Sequence, residues 1–458
     1  MSIFRAYDIR GIVGDTLTEE IVFQIGQAIG SEAHHRNQST VVVCRDGRLS
    51  GPALIGALIR GLRSTGRNVI DIGMAPTPVL YFATYHLNTG SGVMLTGSHN
   101  PPDYNGLKIM LGGDTLFGDD IQALKHRIDH GELHSAPEGE LHQQSIIDDY
   151  IERICGDVKL NPERKPFKVV VDCGNGVAGN TAPQLLEKLG CEIHPLFCEV
   201  DGNFPNHHPD PSQPENLEDM ERAIAKTGAD IGLAFDGDGD RLGVMDAQGN
   251  VIWPDRQLML YAQDVLSRHP GAEIVYDVKC SRHLDAVIKE NGGEPLMWKT
   301  GHSFIKSKLK EDPQAMLAGE MSGHIFFKER WYGFDDGIYT ATRLLEILSN
   351  KSEPPIEVLS ALPDAINTPE LKINMQEGEH FAFMQRILDN ARFDDAKVST
   401  IDGLRADFAD GWGLIRPSNT TPCLVLRFEA DDEASLQRIQ DDFRQQLLSL
   451  DNTLQLPF

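Results

Sequence analysis

The feature that most constrains this chain is a pattern that restarts three times. "TVVVCRDG" (40–47) is followed by a helical stretch and then "STGRNVIDIG" (64–73). "KVVVDCGNG" (168–176) leads into "APQLLEKLGCEIHPLF" (182–197), and "AEIVYDVK" (272–279) into "HLDAVIKENGGEPLMW" (283–298). Each unit is a β-branched run, a turn, an amphipathic helix, a glycine breaker and a second apolar run. Strand, helix and strand in that order imply parallel pairing with the helices covering the sheet. The spacing is too irregular for a short-period solenoid and suits three related α/β domains.

A chain of 458 residues exceeds one ordinary core. The restarts divide it into 1–143, 144–248, 249–360 and 361–458. The last part differs: "KINMQ", "KVSTIDG", "LRADFA", "GWGLIRPS" and "CLVLRFEA" are short strand-like pieces before a helix within "DDEASLQRIQDDFRQQLLSL". Local strands with a late helix predict an α+β domain with an antiparallel sheet. The expected fold is therefore three similar mixed-sheet α/β domains followed by an α+β C-terminal domain, arranged around a central cleft. No low-complexity linker separates the four, so the cleft is the natural ligand site.

Lys and Arg number 42 against 68 Asp and Glu, a net charge of −26. That balance excludes a general nucleic-acid binder but leaves room for a small positive pocket built from a few convergent cations. "MSIFRAYDIRG" lacks a signal-peptide pattern, and no apolar run reaches membrane-spanning length. The seven cysteines are scattered, with no close metal or redox spacing. Reduced thiols, a cytoplasmic location and no membrane partner are expected.

The strongest chemical motif is "LAFDGDGDRLG" (233–243), a buried-strand pattern feeding Asp236, Asp238 and Asp240. Clustered carboxylates need cationic balance, and their hard oxygens suit Mg²⁺; Arg241 beside them suits a phosphate. A solvated acidic turn is the alternative. An EF-hand is excluded, because Arg241 stands at the place of its required glycine and Ala247 at that of its bidentate Glu. In "LTGSHNPPDYNG" (95–106), glycine and two prolines predict a stiff, exposed turn carrying Ser98. Ser98 reads as a nucleophile, a phosphate carrier or a turn residue. The G-x-S-x-G elbow of serine hydrolases is absent, and adjacency alone does not make His99 its base. Phosphorylated, Ser98 offers oxygens that complete the metal shell of the aspartates. Lys108 reads either as a cation for a transferring phosphoryl group or as an exposed structural lysine.

Further on, "MWKTGHSFIK" (297–306) presents His302, either a proton-exchanging group or a turn residue. In "LAGEMSGHIFF" (317–327), Glu320, Ser322 and His324 alternate, so an extended backbone places them on one face suited to vicinal hydroxyls. Arg416, Ser418, Asn419 and Thr420 in "RPSNTTP" (416–422) form a donor-rich loop, either a phosphate grip or a polar β-turn. Neither a Walker P-loop nor a dinucleotide fingerprint occurs. One cleft with an element from each domain explains the set, and points to phosphoryl transfer on a sugar phosphate.

"YDIRG" (7–11), "TGSHNP" (96–101), "DGDGDR" (236–241), "GEMSGH" (319–324) and "RPSNT" (416–420) occur in the order of the α-D-phosphohexomutases, which the chain resembles over essentially all its length. The resemblance implies that Ser98 is phosphorylated in the active enzyme and that Asp236, Asp238 and Asp240 bind Mg²⁺ with it. It implies that Glu320 and Ser322, with His324, read sugar hydroxyls, and that Arg416, Ser418, Asn419 and Thr420 anchor the distal phosphate. Tyr7, Arg10, Arg241 and Lys279 match other cleft positions; Lys108 and His302 match positions of proton transfer and charge stabilisation. The implied reaction exchanges the 1- and 6-phosphates of mannose and glucose through a hexose 1,6-bisphosphate, by a monomer. A glucosamine-phosphate mutase and a non-catalytic sugar-phosphate sensor are the alternatives.

Overall fold

In the computed structural model, which describes residues 3–376, 378–419 and 421–458, the three restarts become three sheets of one plan. The first runs, edge to edge, Ile9–Ile12, Tyr104–Leu111, Gly92–Leu95, Thr40–Arg45, Asn68–Met74 and Leu141–Gln143, with Asp114–Thr115 beside Tyr104–Leu111. The second runs Val251–Ile252, Leu242–Asp246, Ile231–Phe235, Lys168–Asp172 and Glu192–Leu196. The third runs Glu294–Trp298, Glu273–Asp277, Ala315–Gly319 and Ile325–Phe327. In each, a central strand pairs in parallel with both neighbours; Val42, for example, lies opposite both Ile70 and Gly92. The next strand then returns antiparallel: Tyr104–Leu111, Leu242–Asp246 or Ile325–Phe327. The sheets are mixed, as expected.

Those antiparallel returns put the chemical motifs at equivalent places. Residues 96–103, 236–241 and 320–324 each connect the last parallel strand to its antiparallel neighbour. The fourth sheet is antiparallel throughout, and residues 418–422 connect its two longest strands, Gly411–Pro417 and Cys423–Ala430. Hairpin connections are short, so each motif is held at both ends by a sheet.

The helix Thr77–His86 shows why the first three domains sit together. Its sequence, TPVLYFATYH, has no continuous polar stripe, and Thr77 through Thr84 are all buried. A helix that is apolar all round needs cover on every side. Phe82 stacks on Trp331 of the third domain and meets the edge of Tyr150. Tyr150 in turn donates to Asp336, which caps the helix Gly337–Ser349 by accepting from Tyr339 N. One core runs through Val42, Phe82, Val171, Phe235, Tyr261 and Leu344.

The C-terminal domain has its own core, around Ile373, Ile415, Phe428 and Phe443. It meets the third domain through a small apolar cluster, in which Val278 packs with Trp412 and Leu414, and through polar contacts around it. Arg405 donates to the carbonyls of Val278 (2.7 Å) and Cys280 (2.8 Å), and Ser281 donates to Glu429 (3.0 Å). An interface of this character permits relative motion more readily than a shared apolar core. Among the described residues, no helix is long and apolar enough to cross a membrane.

Phe82→Ala removes a 1% exposed ring from the core shared by three domains. A loss of about 3–5 kcal/mol is expected, read as a lower urea midpoint for the transition that reports those domains.

Candidate active site

Ser98 sits just beyond the strand Gly92–Leu95 with φ at +48°, a left-handed backbone uncommon for a side chain of this kind. A buried arginine holds it there. Arg48 Nη2 donates to the carbonyls of Ser98 (2.8 Å) and Asn100 (2.6 Å), and Nη1 to that of Tyr104 (2.9 Å). Asp46 aligns Arg48 through Nε at 3.1 Å and accepts from Thr96 Oγ1 at 2.7 Å. Position 97 must be glycine for this clamp, because a Cβ there would lie 2.4 Å from Arg48 Cζ. Pro101 and Pro102 are exposed, as a stiff turn predicts, but Ser98 is only 2% exposed. The clamp presses the front of the turn against the aspartate loop, which corrects the expectation of an exposed hydroxyl. Sequence reasoning passed over Asp46 and Arg48, although an Asp–Arg pair at the strand end in "CRDGR" was the available signal.

Ser98 Oγ donates to Asp236 Oδ2 at 3.0 Å, across the boundary between first and second domains. Asp236 Oδ1 accepts from Gly239 N and Arg241 N, which curls the loop around its own carboxylate. Thr77 Oγ1 donates to Asp238 at 2.5 Å, and Lys108 Nζ contacts Asp238 (2.7 Å) and Asp240. All three aspartates are fully buried and Lys108 is 4% exposed, so this lysine is part of the centre and not a surface residue.

The electrostatics follow from that burial. Desolvation, then the charges of Asp240 and Asp238, push Asp236 well above the usual carboxylate range. Burial opposes ionisation of Asp240 too, but Lys108 and His324 draw it well below that range. Burial alone would depress Lys108; Asp238 and Asp240 outweigh it and raise the ammonium well above its ordinary value. The donor set fits a hard divalent cation. Oxygens of the three aspartates lie within 4.8 Å of one another, and Asp238 Oδ1 and Asp240 Oδ1 are buried without a hydrogen bond.

The third domain closes one side. Glu320 to Gly323 form a reverse turn, with Gly323 N donating to Glu320 O at 3.0 Å, and not the extended strand that alternation suggested. The three polar side chains still converge. His324 Nδ1 lies 2.8 Å from Ser322 Oγ and 3.1 Å from Glu320 Oε2, and Nε2 lies 3.5 Å from Asp240. Burial works against its charge, but Asp240 and Glu320 raise His324 to about 9. Arg241 Nε is 3.3 Å from His324 Nε2 and 3.8 Å from Asp236. His302, at the start of the helix His302–Glu311, stacks toward His324 with ring centres 5.6 Å apart. Burial and the neighbouring Lys306 and Lys108 hold His302 well below its ordinary value. Asp335, unforeseen from the sequence, faces His302 Nδ1 at 3.6 Å and accepts from Lys306 at 2.7 Å. Its signal was the acidic pair in "FDDG" (334–337), ahead of a helix. His99 Nδ1 lies 3.2 Å from Ser98 Oγ, and desolvation with Arg241 and Arg10 holds this imidazole well below its ordinary value as well.

A second polar cluster lies toward the C-terminal domain. Tyr7 OH donates to Thr300 O at 3.0 Å and contacts Asn419, tying the first domain to the fourth. Arg416 pairs with Asp402 at 3.0 Å, and Lys279 with Glu370 at 2.6 Å; both cations are buried. Lys279, 2.6 Å away, pulls Glu370 down to about 2. Ser418 Oγ accepts from Thr421 N at 3.1 Å. Arg10, on the first strand, contacts Asn100 of the serine turn and Asp8. Thr420 lies outside the described residues.

Four family profiles match the chain: phosphoglucomutase/phosphomannomutase alpha/beta/alpha domain I over residues 1–134, domain II over 148–249, domain III over 253–366, and the C-terminal domain over 370–446. A phosphomannomutase/phosphoglucomutase of Pseudomonas putida is 58% identical over 457 residues, covering 100% of this chain and 98% of that protein. A phosphoglucomutase of Neisseria gonorrhoeae is 55% identical and covers 96% of each chain. A crystal structure of a phosphoglucomutase/phosphomannomutase family protein from Burkholderia thailandensis superposes with a TM-score of 0.94 at 54% identity, covering 100% of this chain and 99% of that one.

His324 gains carboxylate partners on folding, so its contribution to stability is complete below its ordinary value of 6.5 and disappears as pH rises through about 9. In metal-free protein, the destabilisation by His324→Gln is expected to be largest at the acid end of that window and to shrink across it. Denaturant midpoints of both proteins at several pH values measure this.

Proposed function

The chain belongs to the phosphoglucomutase/phosphomannomutase family, and we propose that its cleft carries a phosphoryl group between Ser98 and either end of a bound hexose. The enzyme is an isomerase that reversibly interconverts the 1- and 6-phosphates of mannose and of glucose. The observation that carries the assignment of Ser98 is its hydroxyl, 3.0 Å from Asp236 inside a buried centre of three aspartates and a lysine. A hydrolase relay would need an imidazole held by an acid beside Ser98; the nearest buried carboxylate accepts from the serine itself.

Asp236, Asp238, Asp240 and phosphorylated Ser98 are the residues that would hold Mg²⁺, which when bound neutralises charge on the transferring phosphoryl group. Lys108 has three N–H donors and places two of them on Asp238 and Asp240, leaving one for a phosphoryl oxygen. Arg241 presents a second cation on the same side. His302 turns Nδ1 toward Asp335, leaving Nε2 free to accept the proton of the attacking sugar hydroxyl, and its low basicity keeps it neutral beforehand. His324 and Ser322 offer donors, and Glu320 an acceptor, to the ring hydroxyls.

Transfer from phosphoserine 98 to the free hydroxyl of a hexose monophosphate gives the 1,6-bisphosphate. After reorientation, the other phosphate returns to Ser98 and the isomeric monophosphate leaves. The cations Arg416 and Lys279, with Ser418, Asn419, Thr420 and Tyr7, hold whichever phosphate is distant from Ser98. Asp402 and Glu370 already partner these cations and temper their pull on an anion. A site that accepts both ends of the sugar and then releases the intermediate benefits from that moderation. The seam of the fourth domain, a small apolar cluster ringed by hydrogen bonds, suits the opening that reorientation requires better than a continuous shared core would. Arg10 links the serine turn to the first strand and completes the cleft wall.

The sheets support domain breaks near 143 and 360, while the edge strand Val251–Ile252 carries the second break slightly past 248. A cytoplasmic monomer fits the seven unpaired cysteines, and gel filtration with light scattering tests the monomer.

Incubating the phosphorylated enzyme and Mg²⁺ with mannose 1-phosphate or glucose 1-phosphate should give the 6-phosphate of each by phosphorus NMR; no product from either sugar defeats the assignment. Ser98→Ala should abolish this route with its fold intact by circular dichroism, and full bisphosphate-dependent turnover would remove Ser98 from its role. Lys108→Met should lower kcat on the order of a hundredfold, measured in a coupled assay.

A further inference from the structure

Cys173 and Cys198 stand 25 positions apart in the sequence, with no spacing that suggests a redox pair, yet their sulfurs lie 3.5 Å from one another. The fold of the second sheet brings them together. Lys168–Asp172 and Glu192–Leu196 pair in parallel, with Asp172 opposite Leu196, and the two chains stay side by side beyond their last residues. Cys173 N donates to Leu196 O at 3.1 Å, and Asn175 N to Phe197 O at 2.8 Å. Positive φ at Gly174, Asn175 and Phe197 turns both chains at the strand ends. Cys173 is completely buried and Cys198 half-buried, so a small oxidant reaches Cys198 first. Contact with Cys173 lowers the Cys198 thiol, while the same contact and burial raise Cys173 well above its ordinary value.

The pair is coupled to the centre through one short loop. Gly176 N donates to Cys173 O at 2.6 Å, and Val177 N donates to Gly237 O at 3.1 Å. Gly237 lies between Asp236 and Asp238, and a Cβ on Gly176 would come within 3.0 Å of its Cα. The loop that begins at Cys173 therefore packs directly against the aspartate loop.

We propose that Cys173 and Cys198 form a reversible disulfide on exposure to a peroxide, and that the closed pair lowers turnover by displacing the loop beneath Asp236 and Asp238. The Cys198 thiolate attacks one oxygen of hydrogen peroxide, breaking the O–O bond and giving a sulfenic acid and hydroxide, which takes up the proton the thiol released. The Cys173 sulfur then displaces the sulfenic oxygen as water and forms the S–S bond. Two thiols are oxidised to one disulfide, and one peroxide is reduced to two waters. Closing the sulfurs from 3.5 Å to about 2 Å ties the two strand ends together, and the strain it imposes at Cys173 is passed to the loop that starts there.

The test treats the full-length enzyme with hydrogen peroxide, blocks remaining thiols by alkylation and sequences the digest without reduction by mass spectrometry. A Cys173–Cys198 cross-linked peptide should appear in step with a several-fold fall in kcat/KM, and dithiothreitol should reverse both. Cys198→Ser should keep its activity through the same treatment. Separate alkylation of Cys173 and Cys198 after peroxide overturns the proposal, as does a cross-link without loss of activity. Loss that persists in Cys198→Ser, or resists dithiothreitol, also overturns it. Only the activity measurement rests on the proposed function; the cross-linked peptide is read without substrate.

Discussion

The buried contact between Lys108 and the carboxylates of Asp238 and Asp240 is the interaction on which the rest of this architecture depends. Three acids in a desolvated space repel one another, and burial compounds the cost. The lysine comes from the first domain and the aspartates from the second, so the charge balance exists only when the two domains are docked. Thr77 and Ser98, also from the first domain, add hydrogen bonds to the same acids. A cation at the aspartates would relieve the same repulsion. The centre is thus an interface whose carboxylates are balanced by cations from three domains, Lys108, Arg241 and His324.

The position of this centre follows from one topological habit used four times. Each sheet places one candidate motif in the connection between two antiparallel neighbours, anchored at both ends by backbone hydrogen bonds, while Lys108 comes from the strand Tyr104–Leu111 and His302 from the start of a helix. Such a connection can hold a strained residue, as at Ser98, because the flanking strands are fixed independently of it. Arg48 strengthens the arrangement by binding successive carbonyls of the turn, which a lysine could not match in geometry. Rigidity is concentrated at the turn that carries Ser98.

The domains are not joined alike. The first three share a continuous apolar core in which Phe82, Tyr150 and Trp331 meet, while the fourth is joined to the third by a small apolar cluster of Val278, Trp412 and Leu414 ringed by ion pairs and arginine-to-carbonyl hydrogen bonds. A shared core fixes Ser98, the aspartates and the histidines relative to one another. The fourth domain has a core of its own and reaches the other three through the smaller seam and the contact of Tyr7 with Asn419. That division matches a reaction in which the transfer geometry stays constant while the sugar turns around.

The sequence by itself determined the three α/β restarts and the antiparallel fourth domain, and it singled out the motifs that carry the candidate site, because periodicity and clustered side-chain chemistry are local properties. Ser98, Asp236, Asp238, Asp240 and Glu320 were legible from their own short motifs. Only the tertiary structure decided that Ser98 is buried while the prolines of its turn stay exposed, that Glu320 and His324 meet through a reverse turn, and that Lys108 is the counter-charge of the aspartates. It alone revealed Arg48, Asp335 and Glu370, whose roles lie in what they contact across distant segments. The nearness of Cys173 and Cys198 belongs to the same class. Contacts of this kind depend on how strand ends and domain faces come together, and no window of sequence contains both partners.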